Sequence, residues 1–217
     1  MYDETVQKPP FTAEEIRILG CLLEKQLTTP NNYPLTFNSL ALACNQKSSR
    51  EPLMNLKEGQ VGSLAKDLTE MGWATIQNSE RAQRVEHRLQ KHYKLSPQQQ
   101  AVLAVLLLRR PQTLNEIKLR TERLAEFKQP DEIQSILEAW LQLAKPLVMR
   151  LPAGSGKRED RYFHTLGTDT FEQLQAEQLH QSQTTQSNAY TQSLEARVEV
   201  LEQRVAELEQ ALFANAA

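Results

Sequence analysis

Gly154-Ser155-Gly156-Lys157 is the stretch that most invites a chemical reading, because glycines followed by lysine are what a phosphate loop uses. A Walker loop also needs Gly where Leu151 stands, Ser or Thr where Arg158 stands, and a helix behind it to aim its dipole at the phosphate. Here a strand pattern follows, so the stretch reads as the tip of a hairpin. The four histidines, His87, His92, His164 and His180, show no metal-ligand spacing with one another, with Cys21 or Cys44, or with a glutamate. His87 and His92 are expected on a wing strand, facing solvent or phosphate. Cys21 lies in an apolar segment and Cys44 ends one, so both are expected as small core residues; no His-plus-acid arrangement activates either. Glu14-Glu15 is accounted for by charge complementation at a helix N-terminus. The residues therefore assign no catalytic group, no metal ligand and no cofactor, and the chain is expected not to be an enzyme.

What remains is charge and its placement. Of the 217 residues 40% are hydrophobic and 24% charged, and the net charge is -2, which is the balance of a globular chain. That figure hides an asymmetry. Residues 11–95 carry 11 Lys and Arg against 9 Asp and Glu, residues 96–166 carry 11 against 8, and residues 167–217 carry 2 against 8. A mildly basic body with an acidic tail permits a polyanionic partner without demanding one. The longest apolar run, Ala101–Leu108, is far short of the roughly 20 residues of a membrane span. Two cysteines cannot build a disulfide framework, and Met1-Tyr2-Asp3-Glu4 lacks the start of a secretory signal, so no membrane partner and a cytoplasmic location are expected.

The elements that must position these charges are legible from caps and periodicity. Thr12 and Glu15 form a capping box, Phe11 and Ile16 a hydrophobic staple, and Ile16, Leu19, Leu23 and Leu27 the apolar stripe of a first helix. Thr28–Pro34 breaks it. A second helix is expected from Thr36 to Cys44, and a third carries Val61, Leu64, Leu68 and Met71 on one face. Trp73–Gln77 and Arg84–Tyr93 read as two strands of a hairpin. The order then recurs. Ser96-Pro97 opens a helix at residue 97, Thr113 and Glu116 box a second, Pro130 opens a third with Ile133, Ile136, Trp140 and Leu143, and Leu147–Leu151 and Arg161–His164 make a second hairpin. The offset between copies shrinks from the first helix to the third, which places an insertion near Asn45–Leu56 of the first copy. Three helices and a hairpin, twice, predict a mainly α chain of two winged helix-turn-helix domains with small β-hairpin wings. The expected organisation is an extension over residues 1–10, winged domains over 11–95 and 96–166, a polar glutamine-rich linker over 167–193 and a heptad helix over 194–217.

Ile16–Lys25, Thr29-Pro30, Tyr33-Pro34-Leu35 and Ala43–Pro52 resemble the YceH-like family of bacterial proteins. The resemblance covers most of residues 11–166 and is most specific over Cys44–Pro52. It implies tandem winged helices and a bacterial cytoplasmic setting. The sequence departs from the family's pattern at Lys57, where a capping Thr is more usual, and over Arg84–Lys91.

In a winged helix the third helix enters the major groove and the wing touches backbone. The residues placed for this in the first copy are Lys47, Arg50 and Lys57 on the approach, Gln60 and Lys66 on the third helix, and Arg81, Arg84 and Arg88 on the wing. The third helix of the second copy carries Asp131, Glu132 and Glu138 and neither Lys nor Arg, which repels phosphate and suits a protein-docking module. Double-stranded DNA at the first copy is the expected partner, in a transcriptional regulator. The alternative is an interaction scaffold that docks protein partners through the second copy.

In the tail, Leu194, Val198, Leu201, Val205, Leu208 and Leu212 step by four and three, with Val at two a positions and Leu at three d positions, a pattern of parallel dimeric coiled coils. Arg197 and Arg204 fall at g and Glu202 and Glu209 at the following e positions, so each pair can bridge two chains. Three heptads are short, and the dimer should depend on concentration. Light scattering at tens of micromolar should find the full chain dimeric and a chain truncated after Gln192 monomeric; two monomers would make the seam an intramolecular packing face.

Overall fold

The computed structural model describes residues 11–78, 82–129, 131–153, 159–177 and, near the C-terminus, 197–199, 201, 203 and 204. Helix α1, Ala13–Thr28, begins as its sequence dictates. The Glu15 amide donates to Thr12 Oγ1 at 3.2 Å and the Thr12 amide to Glu15 Oε2 at 2.8 Å, while Phe11 and Ile16 are buried around that turn. A turn of 3₁₀ helix over Pro30–Asn32 leads into strand β1, Leu35–Thr36. Helix α2, Phe37–Cys44, is capped by the Thr36 hydroxyl, and α3, Glu58–Glu70, follows a loop. Strands β2, Ala74–Asn78, and β3, Gln83–His87, precede the short helix α4, Leu89–Tyr93. The order then recurs without a counterpart of α4: α5, Pro97–Leu107; β4, Gln112–Thr113; α6, Leu114–Thr121; α7, Glu132–Leu141; β5, Val148–Leu151; β6, Arg161–His164. The fold is mainly helical with small antiparallel sheets.

Each sheet has three strands rather than the two of a simple hairpin. β1 pairs with β3 and β4 with β6, giving the orders β1-β3-β2 and β4-β6-β5. The added strands are two residues long, each ending in a threonine that is also the N-cap of the next helix, so the capping signal had masked them. The registers match at an offset of 77 residues: Thr36 faces Arg84 as Thr113 faces Arg161. The offset falls from 84 at the helix starts Ala13 and Pro97 to 77 at the N-caps Thr36 and Thr113. Most of the length difference therefore lies in α1 and the turn after it, not around Asn45–Leu56 as the sequence suggested.

Two further expectations are corrected. The strand expected over Arg84–Tyr93 stops at His87, because α4 coils back to lay His92 and Tyr93 against Trp73, with ring centroids 4.3 and 5.9 Å apart. Met71 does not join the apolar face of α3. The helix ends at Glu70, Gly72 turns the chain with φ 81°, and Met71 is 39% exposed while Ala65 is buried with Val61 and Leu68.

Both copies share one core, and the two first helices are its seam. α1 and α5 pack so closely at Gly20 that a Cβ there would lie 3.0 Å from Leu107 Cβ and from Leu108 Cγ and Cδ2. Leu19, Leu22 and Leu23 of α1 and Leu103, Leu106 and Leu107 of α5 are buried in the same cluster. The Phe11 amide donates to the Leu166 carbonyl at 3.0 Å, and Phe11 bridges Gly167, so the start of the first copy is paired with the end of the second.

This body, to Phe171, is one compact unit; the chain from Glu172 belongs to another. Residues 171–177 are helical within the segment expected as linker, and 197–199, 201, 203 and 204 are helical, with Val198 and Leu201 exposed. Leu194, Val205, Leu208 and Leu212 lie outside the described residues, as does Pro130. Among the described residues no helix is long and apolar enough to cross a membrane.

Replacing a mid-helix glycine by alanine ordinarily gains up to about 1 kcal/mol of helix propensity. At Gly20 the new methyl meets Leu107 Cβ, which is fixed to the α5 backbone, so the helices must part, and overpacking of this kind costs about 1–3 kcal/mol. Urea denaturation should show Gly20→Ala destabilised by about 1 kcal/mol and Gly20→Val by more; a gain in stability would mean that α1 and α5 are not in close contact.

Candidate nucleic-acid interface

Helix α3 separates a buried face from an exposed one. Val61, Ala65 and Leu68 are buried, whereas Gln60, Ser63, Lys66, Asp67 and Glu70 are exposed. Its N-terminus is closed by Gln60, whose Oε1 accepts the Lys57 amide at 2.9 Å; the Lys57 side chain, which cannot accept a hydrogen bond as a capping Thr would, stays exposed. Lys47, on the preceding loop, is exposed as well. Among the described residues no ion pair holds Lys47, Lys57 or Lys66. On the wing side Arg88 is exposed, its Nε donating to Thr75 Oγ1. Arg84 is half-buried and reaches back across β1, Nη1 donating to the Pro34 carbonyl at 2.8 Å. Arg81 lies outside the described residues. The structure thus brings Lys47, Lys57, Gln60, Lys66 and Arg88 to the surface.

Arg50 is a correction. It is 5% exposed and faces inward, donating from Nε to the Ala43 carbonyl at 3.0 Å and from Nη1 to the Ser49 carbonyl at 2.9 Å. Nη1 and Nη2 also grip the two carboxylate oxygens of Glu24, at 3.1 and 2.5 Å, and Nη2 reaches Gln46 Oε1 at 2.7 Å. Arg17, 2% exposed, works beside it, donating to the carbonyls of Cys44 at 3.0 Å and Pro52 at 2.6 Å. Asn45 closes the same loop, exchanging hydrogen bonds of 2.8 Å with the Leu56 backbone. Cys44–Pro52, the stretch on which the resemblance is most specific, is therefore a clasp on α1, and phosphate has no access to Arg50. Cys21 and Cys44 are free thiols buried beside this clasp. A hydrogen bond with Cys21 and burial push the Cys44 thiol up, so it stays protonated and a poor nucleophile.

His87 is a second correction, since it is buried rather than facing solvent or phosphate. Its Nε2 lies 2.7 Å from Gln26 Oε1, which also accepts from Gln100 Nε2 of α5 at 2.6 Å, so Nε2 carries the imidazole proton. Nδ1 is buried without a partner, and burial lowers the His87 pKa to about 4. This chain of three side chains joins β3, α1 and α5. His92 sits on α4 with its Nε2 2.9 Å from the Gly72 carbonyl. Among the described residues no group of three or more His, Cys, Asp and Glu is placed to hold a metal ion.

The second copy presents a different surface. Asp131 is exposed and Glu132 and Glu138 are half-buried along α7. On α6, Leu119 is 69% exposed, and Leu42, at the same position of α2, is 66% exposed. The periodicity of these helices gave no reason to expect bare leucines there.

A family described as "Protein of unknown function, DUF480" matches residues 11–157. A UPF0502 protein of Azotobacter vinelandii is 48% identical over 196 residues, covering 90% of this chain and 85% of its own. One of Xanthomonas campestris pv. campestris is 45% identical over 212 residues, 97% and 95% of the two chains. One of Pseudomonas fluorescens is 41% identical over 214 residues, 96% and 98%.

The buried His87 makes the fold sensitive to acid. An unfolded chain takes up this proton near pH 6.5, whereas the fold refuses it until about pH 4, so stability present above pH 6.5 is lost as the pH falls through that window. Denaturation at pH 7 and pH 5 should show wild type losing about 2 kcal/mol more than His87→Gln. Parallel losses would assign the slope to carboxylates instead.

Proposed function

The chain belongs to the DUF480 family of bacterial proteins, whose curated relatives carry the name UPF0502, and from that premise we propose that it is a non-enzymatic, cytoplasmic tandem winged-helix protein that binds double-stranded DNA through its first copy. The observation that carries the reading is the outer face of α3, which is exposed along its length and carries Lys66, with Lys47 and Lys57 before it and Arg88 on the wing; the three lysines have no ion pair among the described residues. α3 lies between a helix that packs beneath it and a three-stranded wing, as a groove-reading helix requires. The Ser63 hydroxyl and the Gln60 amide N–H groups offer base-edge contacts, the Gln60 Oε1 being held by the Lys57 amide, and the lysines supply phosphate contacts. The heptad tail would pair two such bodies, as a transcriptional regulator reading a two-fold site needs.

A second reading, a scaffold that docks protein partners, draws on the bare Leu119 of α6 and the acidic flank of α7. It predicts capture of partners that survives nuclease.

Four phosphate contacts, from Lys47, Lys57, Lys66 and Arg88, give an expected slope of about -3.6 for log affinity against log salt. Anisotropy titrations of a labelled duplex at several salt concentrations measure it. Lys57→Ala and Lys66→Ala should each reduce the slope by about 0.9 while leaving the fold intact. No binding at about 50 mM salt, or slopes that the two variants leave unchanged, would favour the scaffold.

A further inference from the structure

Beside Glu24 lies a cleft of about 480 Å³, walled by residues of α1 and the Gln46–Ser49 loop and by residues of α5, α6 and the turns that follow them. Four cationic side chains line it, Lys25, Arg109, Arg120 and Arg123. Glu24 is the acid on its wall, and the bidentate grip of Arg50 already neutralises that charge. Arg120 is held in place from behind, Nη1 donating to Gln112 Oε1 at 2.6 Å, with a loose contact of 3.9 Å to Glu116.

Arg109 is the unusual member. It is half-buried, and among the described residues its guanidinium has neither a hydrogen bond nor an ion pair. The groups that act on it are Arg120, Glu24, Arg50 and Arg123, three of the four carrying its own sign, and burial followed by this repulsion lowers its pKa to about 10. A desolvated cation among like charges is destabilising unless a counter-charge arrives. The remaining polar lining is rich in donors: the hydroxyls of Ser48 and Ser49, and Gln46, whose Oε1 is already taken by Arg50. Guanidinium groups present paired N–H donors that match the oxygens of phosphate and carboxylate. A volume of a few hundred Å³ suits a small molecule and is far too narrow for a duplex.

We propose that this cleft binds a small oxyanion carrying two or more negative charges, with the half-buried Arg109 as its anchor and Arg120 and Arg123 closing on it. The proposal does not rest on the DNA-binding reading, for the cleft uses none of the same side chains, although the loop that carries Lys47 forms part of its wall. Because its walls come from both copies, an occupant braces α1 and its loop against α5 and α6.

The test is thermal unfolding of the full chain in inorganic pyrophosphate, with NaCl added to hold ionic strength constant. Pyrophosphate at millimolar concentration should raise the midpoint by several degrees. Arg109→Gln should raise the midpoint of the free protein, by removing the unpaired cation, and weaken pyrophosphate binding at least tenfold. Exposed Arg123→Gln should leave the free midpoint unchanged and weaken binding several-fold, and Arg150→Gln, outside the cleft, should change neither. A parallel titration with citrate separates the sources: a response to both anions fits a carboxylate or a phosphate ligand, a response to pyrophosphate alone a phosphorylated one. No shift beyond that of NaCl, or equal shifts in wild type, Arg109→Gln and Arg123→Gln, overturns the proposal. So does loss of duplex binding in Arg109→Gln without any pyrophosphate response, which would give the cleft to the DNA backbone.

Discussion

The close passage of α1 over α5 at Gly20 is the constraint on which the rest of the body depends. A Cβ at that position would lie 3.0 Å from Leu107 and Leu108, so only a bare backbone lets the helices come this close, and the leucines of both fill one cluster. Because they do, the Gln100–Gln26–His87 chain can span from one copy to the other, and the Glu51 amide can reach the Leu108 carbonyl at 2.9 Å. The cationic cleft has its walls where it does for the same reason. So the two halves are not beads joined by a linker; α3 and α7 stand at a separation set by core packing.

Buried charge is the second organising element. Arg50 enters the protein with its donors used on the Ala43 and Ser49 carbonyls, Glu24 and Gln46, and Arg17 beside it donates to the Cys44 and Pro52 carbonyls while its Nε is buried without a partner among the described residues; these bonds offset the cost of two desolvated guanidinium groups side by side. Their work is positional. By fastening the loop after α2 to α1 they fix the entry of α3, and so leave Lys47 and Lys57 on the outside. Arg109 shows the opposite economy, a half-buried cation that has no hydrogen bond or ion pair among the described residues.

How much of this was readable from the residues follows from how local each signal is. Thr12, Ser96 and Thr113 announce their helices through contacts three residues away, and all three caps form as read. The recurrence of the element order was readable for the same reason. What failed was decided at long range. A basic residue in a polar loop, Arg50, looks solvent-facing until α1 brings Glu24 against it across 26 residues of sequence. His87 looks like a wing residue until Gln26 and Tyr33 close over it. The two-residue strands β1 and β4 are too short for any alternation to show, and the cleft joins Lys25 to Arg123, which no spacing rule connects.

The pairing of Phe11 with Leu166 and Gly167 has a topological meaning. The path of the body returns to the point from which it set out, so polypeptide entering at Phe11 and leaving at Gly167 does so through neighbouring positions. A body of that kind behaves as a guest: it can be spliced into a surface turn of an unrelated host without stretching either. It can equally be circularised by a short bridge and reopened elsewhere, with its interior untouched.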